Sequence, residues 1–271
     1  MPEGDSVWKV ARSLEKVIAG REVVRSDFRV PQLATRDLSG RSVVAVDTHG
    51  KHLLTRFSGN ATLHSHLLMD GEWKTTRPGK RLPPHLQRMV RVVIETTGGS
   101  AWGLRMHQLE LVPTDQEHRV VGHLGPDPLR SDWDAPEAVR RLRSEPSVPI
   151  VSALLDQTKM AGLGNLWANE LCFLAGVSPW TPAGDVDLER LVERAATMLH
   201  HSATVPGAYQ ATTGLGRPGQ SHWIYGRVTG GCRRCKGPVR RVDEVANDRA
   251  NRITYWCPHC QPGPGPEARQ R

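Results

Sequence analysis

The chain has 271 residues, which is enough for one large domain or for two of ordinary size. Its formal net charge is +8 and its isoelectric point is about 9.6, in the range of proteins that bind polyanions. No apolar run reaches the ~20 residues of a membrane helix, and the first residues lack the apolar core of a secretory signal. We therefore expect no membrane partner and a cytoplasmic location, in the cytosol or at the nucleoid.

The first half of the chain predicts one helix followed by short strands. Apolar residues recur at three- and four-residue spacing over 5–19, and Gly20 then ends the run, which predicts a helix. Six strands are expected, at 22–26, 42–48, 52–57, 61–67, 89–95 and 101–104. Short strands joined by glycine-containing turns are typical of an antiparallel β-sandwich.

The second half of the chain predicts helices and two irregular segments. Residues 113–130 are interrupted by proline and glycine and are expected to be a linker. Asp134 is a candidate N-cap with Glu137 three residues later, and apolar spacing predicts helices at 148–155, 166–174 and 188–199. The glycine-rich residues 206–221 are expected to form a mobile loop, and residues 262–271 a disordered tail. The predicted fold class is therefore α+β, with an N-terminal β-sandwich and a C-terminal helical domain.

Four cysteines near the C-terminus form two C-x2-C pairs with 21 residues between them: Cys232, Cys235, Cys257 and Cys260. This spacing predicts one tetrahedral zinc ion, which is structural because protein thiolates fill all four positions. Disulfides are the alternative, which a reducing compartment disfavours. Cys172 stands alone in an apolar stretch and is expected to be a core residue. Basic and aromatic residues accompany the pairs and indicate a polyanionic partner: Arg233, Arg234, Lys236, Arg240, Arg241, Arg249, Arg252, Tyr255 and Trp256.

The N-terminal residues Met1-Pro2-Glu3-Gly4 can support covalent catalysis. Removal of Met1 would leave Pro2 with a secondary amine, and an α-amino group is partly neutral and nucleophilic near pH 7. Its attack on an aldehyde-level carbon gives a cationic iminium, which draws electrons from neighbouring bonds. Glu3 stands beside it as a candidate for proton transfer. The alternative is that the chain begins with Met-Pro by chance.

Two further motifs contain residues that can hold phosphate. Glycines precede Asn165, which is expected to cap the helix that follows, and a helix N-terminus after glycines can bind phosphate. An ordinary helix–helix connection is the alternative. Lys51 lies in a turn that leads into a strand and is either a phosphate ligand or an ordinary surface lysine. His64 and His66 alternate on a strand and are expected to be ordinary strand residues rather than metal ligands.

Taken together and in this order, the motifs resemble those of the bacterial formamidopyrimidine-DNA glycosylase and endonuclease VIII family. The resemblance extends over nearly the whole chain, to about Gln261. The motifs are Pro2-Glu3-Gly4, Gly50-Lys51-His52-Leu53-Leu54, Leu124-Gly125-Pro126-Asp127-Pro128-Leu129, Leu154-Leu155-Asp156-Gln157, Ala161-Gly162-Leu163-Gly164-Asn165, Tyr225-Gly226-Arg227 and Tyr255-Trp256-Cys257-Pro258-His259-Cys260-Gln261.

The resemblance implies a two-domain fold with DNA in the cleft between the domains. A catalytic β-sandwich would occupy residues 1–112, and the linker residues 113–130. A helix-two-turn-helix domain would occupy 131–221 and a zinc-finger hairpin 222–261, followed by the tail 262–271. The implied activity is base-excision repair by a bifunctional DNA glycosylase and AP lyase, acting on damaged DNA as a monomer.

The resemblance also implies the roles of individual residues. Pro2 would attack C1′ of the damaged nucleotide, and Glu3 would be the general acid and base. Lys51, a third catalytic residue, would hold a backbone phosphate and support the opened sugar, and Asn165 and Arg252 would hold the phosphates that flank the lesion. Leu68 and Met69 would fill the space left by the everted nucleotide, with Met69 aligned to the void-filling methionine of the glycosylase branch. Loss of the 3′ and then the 5′ phosphate, by β,δ-elimination, would leave a one-nucleotide gap.

Departures from the family pattern narrow the expected substrate. The Gln-Leu-Tyr triplet of the best-known endonuclease VIII branch is absent, no Arg-x-Phe pair is evident around 102–109, and Ser6 stands where glutamate is usual. The N-terminal motif is most similar to the actinobacterial endonuclease VIII branch, which favours oxidised pyrimidines. Incomplete wedge residues would make single-stranded or bubble DNA easier to use than intact duplex.

Two other functions are compatible with parts of the sequence. One is a non-catalytic zinc protein that binds damaged or single-stranded DNA, although such a binder has no need of the Pro2-Glu3 pair. The other is a zinc-ribbon transcription factor, which would leave the β-rich half of the chain unexplained.

Overall fold

The computed structural model describes residues 2–217, 219–243 and 252–266. The chain divides into two compact units, Met1–His123 and Leu124–Arg271. The predicted α+β fold class is confirmed, because the first unit is built on β-sheets and the second on helices. Among the described residues, no helix combines the length and apolar content needed to cross a membrane.

The first unit begins with helix α1, Gly4–Ile18, which confirms the helix predicted at 5–19. Val7, Ala11, Leu14 and Ile18 are buried on one face because they recur at helical spacing. Gly20 follows with a φ of +72°, a conformation that suits glycine and ends the helix. The helix packs against strands of both sheets described next and so closes the core between them.

Eight strands of the first unit form two antiparallel four-stranded sheets. One sheet has the order β1-β6-β7-β5 and the other the order β2-β3-β4-β8. The strands are β1 Val23–Phe28, β2 Val43–His49, β3 His52–Phe57, β4 Ala61–His66, β5 Glu72–Thr76, β6 Val90–Thr96, β7 Gly99–Leu104 and β8 Gln108–Val112. Short helices complete the unit: 3-10 turns at Pro31–Leu33 and Thr114–Gln116, α2 at Pro84–Gln87 and α3 at His118–Val121.

The six predicted strands are confirmed to within two residues at each end, but β5 and β8 were missed. Both lie at sheet edges, and each buries only one side chain, Trp73 in β5 and Leu109 in β8. Each has five residues and one buried side chain, so its apolar alternation is too short to recognise, unlike that of the other two edge strands, β1 and β2.

Residues 113–123, the first part of the expected linker, pack as part of the first unit. Arg56 on β3 donates two hydrogen bonds of 2.8 Å to the carboxylate of Glu117, and Thr62 on β4 donates another of 2.7 Å. The two short helices of this segment are thereby fixed to the sheet β2-β3-β4-β8. The proline and glycine content of the segment did not reveal these contacts.

In its described residues, the second unit has four α-helices around one apolar core and a two-stranded hairpin. Asp134 caps the first helix by accepting a hydrogen bond from the Glu137 amide, as predicted. The elements are α4 Ala135–Arg143, α5 Ile150–Leu155, α6 Asn165–Ala175, a 3-10 turn at Ala183–Asp185, α7 Leu188–Thr204, β9 Arg240–Val242 and β10 Thr254–Trp256.

The segments expected to be irregular contain few regular elements but many hydrogen bonds. Residues 206–217 and 219–221 form a series of hydrogen-bonded turns. In the described part of the expected tail, the Pro264 carbonyl accepts a hydrogen bond from the Ser178 hydroxyl. The remaining tail residues, 267–271, lie outside the described residues.

Candidate active site and metal centre

The N-terminal residues are positioned by the first turn of α1. Pro2 is partly exposed, and Glu3, the N-cap residue, is only 1% exposed. The Ser6 hydroxyl accepts a hydrogen bond from the Glu3 amide and donates one to the Glu3 carbonyl, both at 2.8 Å. The side chain of Ser6, for which the sequence analysis gave no role, therefore fixes the backbone next to the candidate nucleophile.

Lys51 occupies the two-residue loop between β2 and β3. Gly50 permits this loop because its φ of +56° is a conformation that other residues seldom adopt. Lys51 is only 9% exposed, which is unusual for lysine and favours a specific role over that of a surface residue. Helix α1, which directly follows Pro2 and Glu3, packs against β2 and β3, the strands on either side of Lys51.

Four histidines cluster on and beside the sheet β2-β3-β4-β8: His52 on β3, His64 and His66 on β4, and His123 after α3. His52 Nδ1 and His64 Nε2 are 2.8 Å apart, and the His66 ring packs edge-on to His52 at a centroid distance of 4.8 Å. Burial lowers the pKa of His52 to about 3 and that of His64 and His66 to about 4. The charge of Lys51 contributes further to the lowered pKa of His66. This cluster was missed because its members come from three separate segments of the chain.

The predicted wedge residues Leu68 and Met69 lie on an exposed loop, 67–71. Leu68 is 40% exposed and Met69 is 66% exposed, which is high for large apolar side chains. Leu68 has a φ of +51°, a conformation unfavourable for leucine, and its amide donates a hydrogen bond of 3.0 Å to His66 Nδ1. The histidine cluster therefore helps to hold the loop that presents both residues.

Arg105 and His107 lie against this loop and were missed by the sequence analysis. Arg105 Nε donates to the Asp70 carbonyl at 2.9 Å, and His107 Nε2 is 3.2 Å from the Asp70 carboxylate. The family's Arg-x-Phe pattern is not evident at these residues. The chain has Arg-x-His here, so the arginine at position 105 was the available signal.

In the second unit, Asn165 is the first residue of α6. It was expected to cap this helix, but that prediction was wrong, because the N-cap residue is Gly164 and no side chain caps it. Asn165 Nδ2 instead donates a hydrogen bond of 2.8 Å to the Ile253 carbonyl, next to Arg252. Asn169, one turn further along α6, accepts a hydrogen bond of 2.6 Å from the Tyr255 amide. Both candidate phosphate ligands, Asn165 and Arg252, are thus held by contacts between α6 and the hairpin.

The four cysteines predicted as metal ligands come together in space. Their sulfur atoms all lie within 4.8 Å of one another, and the Cys232–Cys260 and Cys235–Cys257 pairs are 3.8 and 3.5 Å apart. A tetrahedral site with metal–sulfur bonds of about 2.3 Å has sulfurs about 3.8 Å apart. The Gly237 amide donates a hydrogen bond of 3.4 Å to Cys235 Sγ. The cluster therefore fits one tetrahedral metal ion.

Comparison with known proteins identifies the family. Residues 1–117 match the formamidopyrimidine-DNA glycosylase N-terminal domain, and residues 124–208 match the H2TH domain of the same family. The chain therefore belongs to the formamidopyrimidine-DNA glycosylase family.

Individual relatives agree with this membership. The chain is 47% identical over 269 residues to probable endonuclease 8 2 of Streptomyces coelicolor, covering 98% of this chain and 96% of that protein. It is 41% identical to the DNA-(apurinic or apyrimidinic site) lyase Nei2 of Mycolicibacterium smegmatis, covering 96% and 99%. Both are actinobacterial proteins of the branch that the N-terminal motif indicated.

A solved structure has the same fold. The Lactococcus lactis formamidopyrimidine-DNA glycosylase, in a complex with DNA containing N7-benzyl-Fapy-dG, superposes with a TM-score of 0.78 at 25% identity. The match covers 97% of this chain and all of that one.

Proposed function

We propose that the protein is a base-excision repair enzyme, a DNA glycosylase with AP-lyase activity that removes oxidised bases, mainly pyrimidines, from damaged DNA. The observation that carries the proposal is the Pro2-Glu3 pair, held at the start of α1 by Ser6 and followed by a fold of this family. A protein that only bound DNA would have no need of a secondary amine beside a buried carboxylate.

The proposed reaction starts after removal of Met1. The Pro2 nitrogen attacks C1′ of the everted nucleotide, the bond from C1′ to the base breaks, and the base leaves with a proton. Glu3 transfers protons at the sugar as the ring opens and the iminium forms. Loss of the C2′ proton then expels the 3′ phosphate, and a second elimination expels the 5′ phosphate.

Phosphate contacts would position the strand without reading its sequence. Lys51 is proposed to hold a phosphate beside the reacting sugar, and Asn165 and Arg252 to hold the phosphates that flank the lesion. The bonds from α6 to residues 253 and 255 support the last assignment, because they fix the backbone next to Arg252.

We further propose that the four cysteines hold one structural zinc ion. When bound, the ion joins the two C-x2-C turns and stabilises the hairpin β9–β10, whose strands have only three residues each. All four donors are protein sulfurs, so no position is left for a reacting water or substrate.

Leu68 and Met69 are proposed to fill the gap that the everted nucleotide leaves. This chain lacks the complete set of residues with which the family fills that gap. We therefore expect oxidised pyrimidines to be cleaved more readily in single-stranded or bubble DNA than in intact duplex. Side-by-side rates on one lesion in the three contexts test this expectation, and equal or faster cleavage of duplex would count against it.

We expect the active species to be a monomer, which light scattering on the free protein and the DNA complex would establish.

Borohydride trapping tests the proposed chemistry. The processed protein should form a covalent adduct with DNA that contains an abasic site or thymine glycol. The adduct should be lost in Pro2→Gly and in protein that retains Met1. Properly processed protein that binds the same DNA but forms no adduct would instead be a non-catalytic binder.

Lys51 can be tested with a matched control. Lys51→Gln should weaken DNA binding and slow strand cleavage, because a buried ammonium group that faces phosphate is lost. Lys80→Gln removes the same charge from an exposed position of the same unit and should leave both properties unchanged.

A further inference from the structure

The side-chain amide of Asn169, on α6, makes three hydrogen bonds although the residue is fully buried. Its Nδ2 donates to the Asn165 carbonyl at 2.7 Å and to Asn165 Oδ1 at 3.1 Å. Its Oδ1 accepts a hydrogen bond of 2.6 Å from the Tyr255 amide of β10. A carboxamide has donor hydrogens at one end and an acceptor oxygen at the other, so both ends of this group are in use. Asn169 therefore joins the start of α6 to the hairpin.

These contacts determine which way the side-chain amide of Asn165 is turned. Its Oδ1 accepts from Asn169, and its Nδ2 donates to the Ile253 carbonyl at 2.8 Å. If the amide were rotated by half a turn, Oδ1 would face the Ile253 carbonyl and Nδ2 would face the Nδ2 donor of Asn169. Two hydrogen bonds would then be replaced by two repulsive contacts in a buried site, where an unpaired polar group is most costly. The observed orientation is therefore the favoured one.

This orientation leaves one donor of Asn165 available to a ligand. Its Nδ2 carries two hydrogens, and among the described residues only the Ile253 carbonyl accepts one of them. The rest of the side chain is enclosed, since Asn165 is 6% exposed. The remaining hydrogen suits an oxygen of the DNA backbone phosphate, because that oxygen only accepts hydrogen bonds. The side chain thus offers a donor, as an anion requires, and keeps its own oxygen occupied by Asn169.

We propose that Asn169 is a positioning residue for DNA binding that acts through Asn165. It holds the Asn165 amide so that Nδ2, and not Oδ1, is presented to the phosphate. This inference rests on the proposed function, in which Asn165 holds a phosphate beside the lesion. It adds that Asn169 serves the binding of the strand and takes no part in the bond-breaking steps, which are assigned to Pro2 and Glu3.

The test replaces the amide of Asn169 by a carboxylate of the same shape. Asn169→Asp keeps the oxygen that accepts from the Tyr255 amide but loses both hydrogens that Asn169 directs at Asn165. Gln32→Glu makes the same chemical change at an exposed position of the first unit and controls for added negative charge. Asn169→Ala is a second variant that adds no charge. Urea denaturation establishes that each protein is folded.

Binding and chemistry are measured separately on bubble DNA. The Kd is measured with a stable tetrahydrofuran analogue of the abasic site, and the single-turnover cleavage rate with a natural abasic site at saturating DNA. Asn169→Asp should raise the Kd about tenfold, because a fixed hydrogen bond to a charged acceptor is lost. Asn169→Ala should raise it in the same direction. The cleavage rate at saturation should stay within about twofold for both, since the chemical steps do not use this contact.

A double-mutant cycle shows whether Asn169 acts through Asn165. Asn165→Ala alone should raise the Kd about tenfold, and adding Asn169→Asp to it should raise the Kd further by no more than about twofold. Nuclear magnetic resonance gives a second readout, because the Asn165 side-chain amide signal is identified by its absence in Asn165→Ala. This signal should shift when tetrahydrofuran DNA is added to the wild type and should not shift in Asn169→Asp. Gln32→Glu should match the wild type in every measurement.

Four outcomes overturn the inference. Asn169→Asp could bind as tightly as the wild type, its saturated cleavage rate could fall as far as its affinity, or the two losses in the double variant could multiply. Asn165→Ala could also bind like the wild type, which would leave no phosphate contact to position. Failure of the proposed chemistry is a different result, because the wild-type protein would then bind tetrahydrofuran DNA but neither cleave the abasic substrate nor form a borohydride adduct.

Discussion

Ser6 acts at the point where the candidate nucleophile joins the fold. Its hydroxyl accepts a hydrogen bond from the amide of Glu3 at the start of α1 and returns a hydrogen bond to the carbonyl of the same residue. Glutamate, the usual family residue at this position, can make the first of these contacts from the third helical position. Serine therefore preserves the cap with a shorter side chain.

Replacement of Ser6 tests this role. Ser6→Ala should lower the free energy of unfolding by about 1 kcal/mol, since a capping hydrogen bond is lost, and should slow formation of the borohydride-trapped adduct because Pro2 is held less firmly. Ser6→Glu should recover part of both losses. Urea denaturation and timed trapping measure the two effects, and an alanine variant equal to the wild type in both would contradict the assignment.

The histidine cluster makes stability depend on pH. His52, His64 and His66 have pKa values lowered to about 3–4 in the fold, whereas histidine in an unfolded chain titrates near 6.5. Between these values the unfolded state binds more protons, so stability is present above pH 6.5 and is lost as the pH falls toward 4. The groups around His52 are His49, His64, His66 and His123, with the charge of Lys51 acting on His66.

Each proton taken up only on unfolding contributes a slope of about 1.4 kcal/mol per pH unit in that window. The double variant His52→Gln/His64→Gln should therefore show a shallower decline in the free energy of unfolding between pH 6.5 and 4. His85→Gln, which removes an exposed histidine from α2, should leave the slope unchanged. Urea denaturation at several pH values gives the slopes, and parallel curves for all three proteins would show that the cluster is not the cause.

At the level of elements, local patterns predicted α1 because its buried residues recur at helical spacing, and six strands because runs of apolar residues stand between turn residues. Strands β5 and β8 bury one side chain each, lack such runs and were missed. The contact of Asn165 with residue 253 spans 88 residues of sequence. Local capping rules cannot anticipate such a contact, so tertiary structure decided the role of this side chain.

The metal centre could be predicted because its ligands follow a fixed spacing. The sequence predicted the clustering of Cys232, Cys235, Cys257 and Cys260, and the structure confirms it. The surrounding support was not predictable, since Glu170 accepts hydrogen bonds from the backbone amides of Trp223, Ile224 and Tyr225, which lie more than 50 residues away in sequence. The roles of Pro2, Glu3 and Lys51 remain predictions that chemistry has to test.

Removal of the metal should destabilise the hairpin β9–β10 but leave helix α7 unchanged. Strands β9 and β10 are too short to be stable as an isolated pair, and the apolar cluster beside them is small. A strong chelator should therefore increase amide exchange in β9 and β10 while α7 keeps its protection, because α7 packs in the larger core of the second unit. Mass spectrometry of exchange measures both, and added zinc should restore the hairpin. Unchanged exchange after proven metal loss would contradict a stabilising role.

At the level of the whole molecule, positive charge is spread over both units. Lys and Arg outnumber Asp and Glu in Met1–His123 and in Leu124–Arg271, and each unit has its own apolar core. A general attraction to DNA therefore does not depend on one residue. The few residues that contact phosphates directly should instead be recognised by their effect on the salt dependence of binding, since each cation that neutralises a phosphate releases counterions.

Arg252 offers the clearest test of this expectation. Arg252→Gln should weaken binding to different DNA sequences about equally and should reduce the slope of log Kd against log salt concentration by about 1, because one cation–phosphate contact is lost. Arg252→Lys should weaken binding yet keep the slope, since the charge remains while the two-pronged hydrogen bonding is lost. Arg143→Gln lowers the net charge by the same amount and should leave the slope intact. If Arg143→Gln and Arg252→Gln reduce the slope equally, affinity reflects net charge and Arg252 makes no specific phosphate contact.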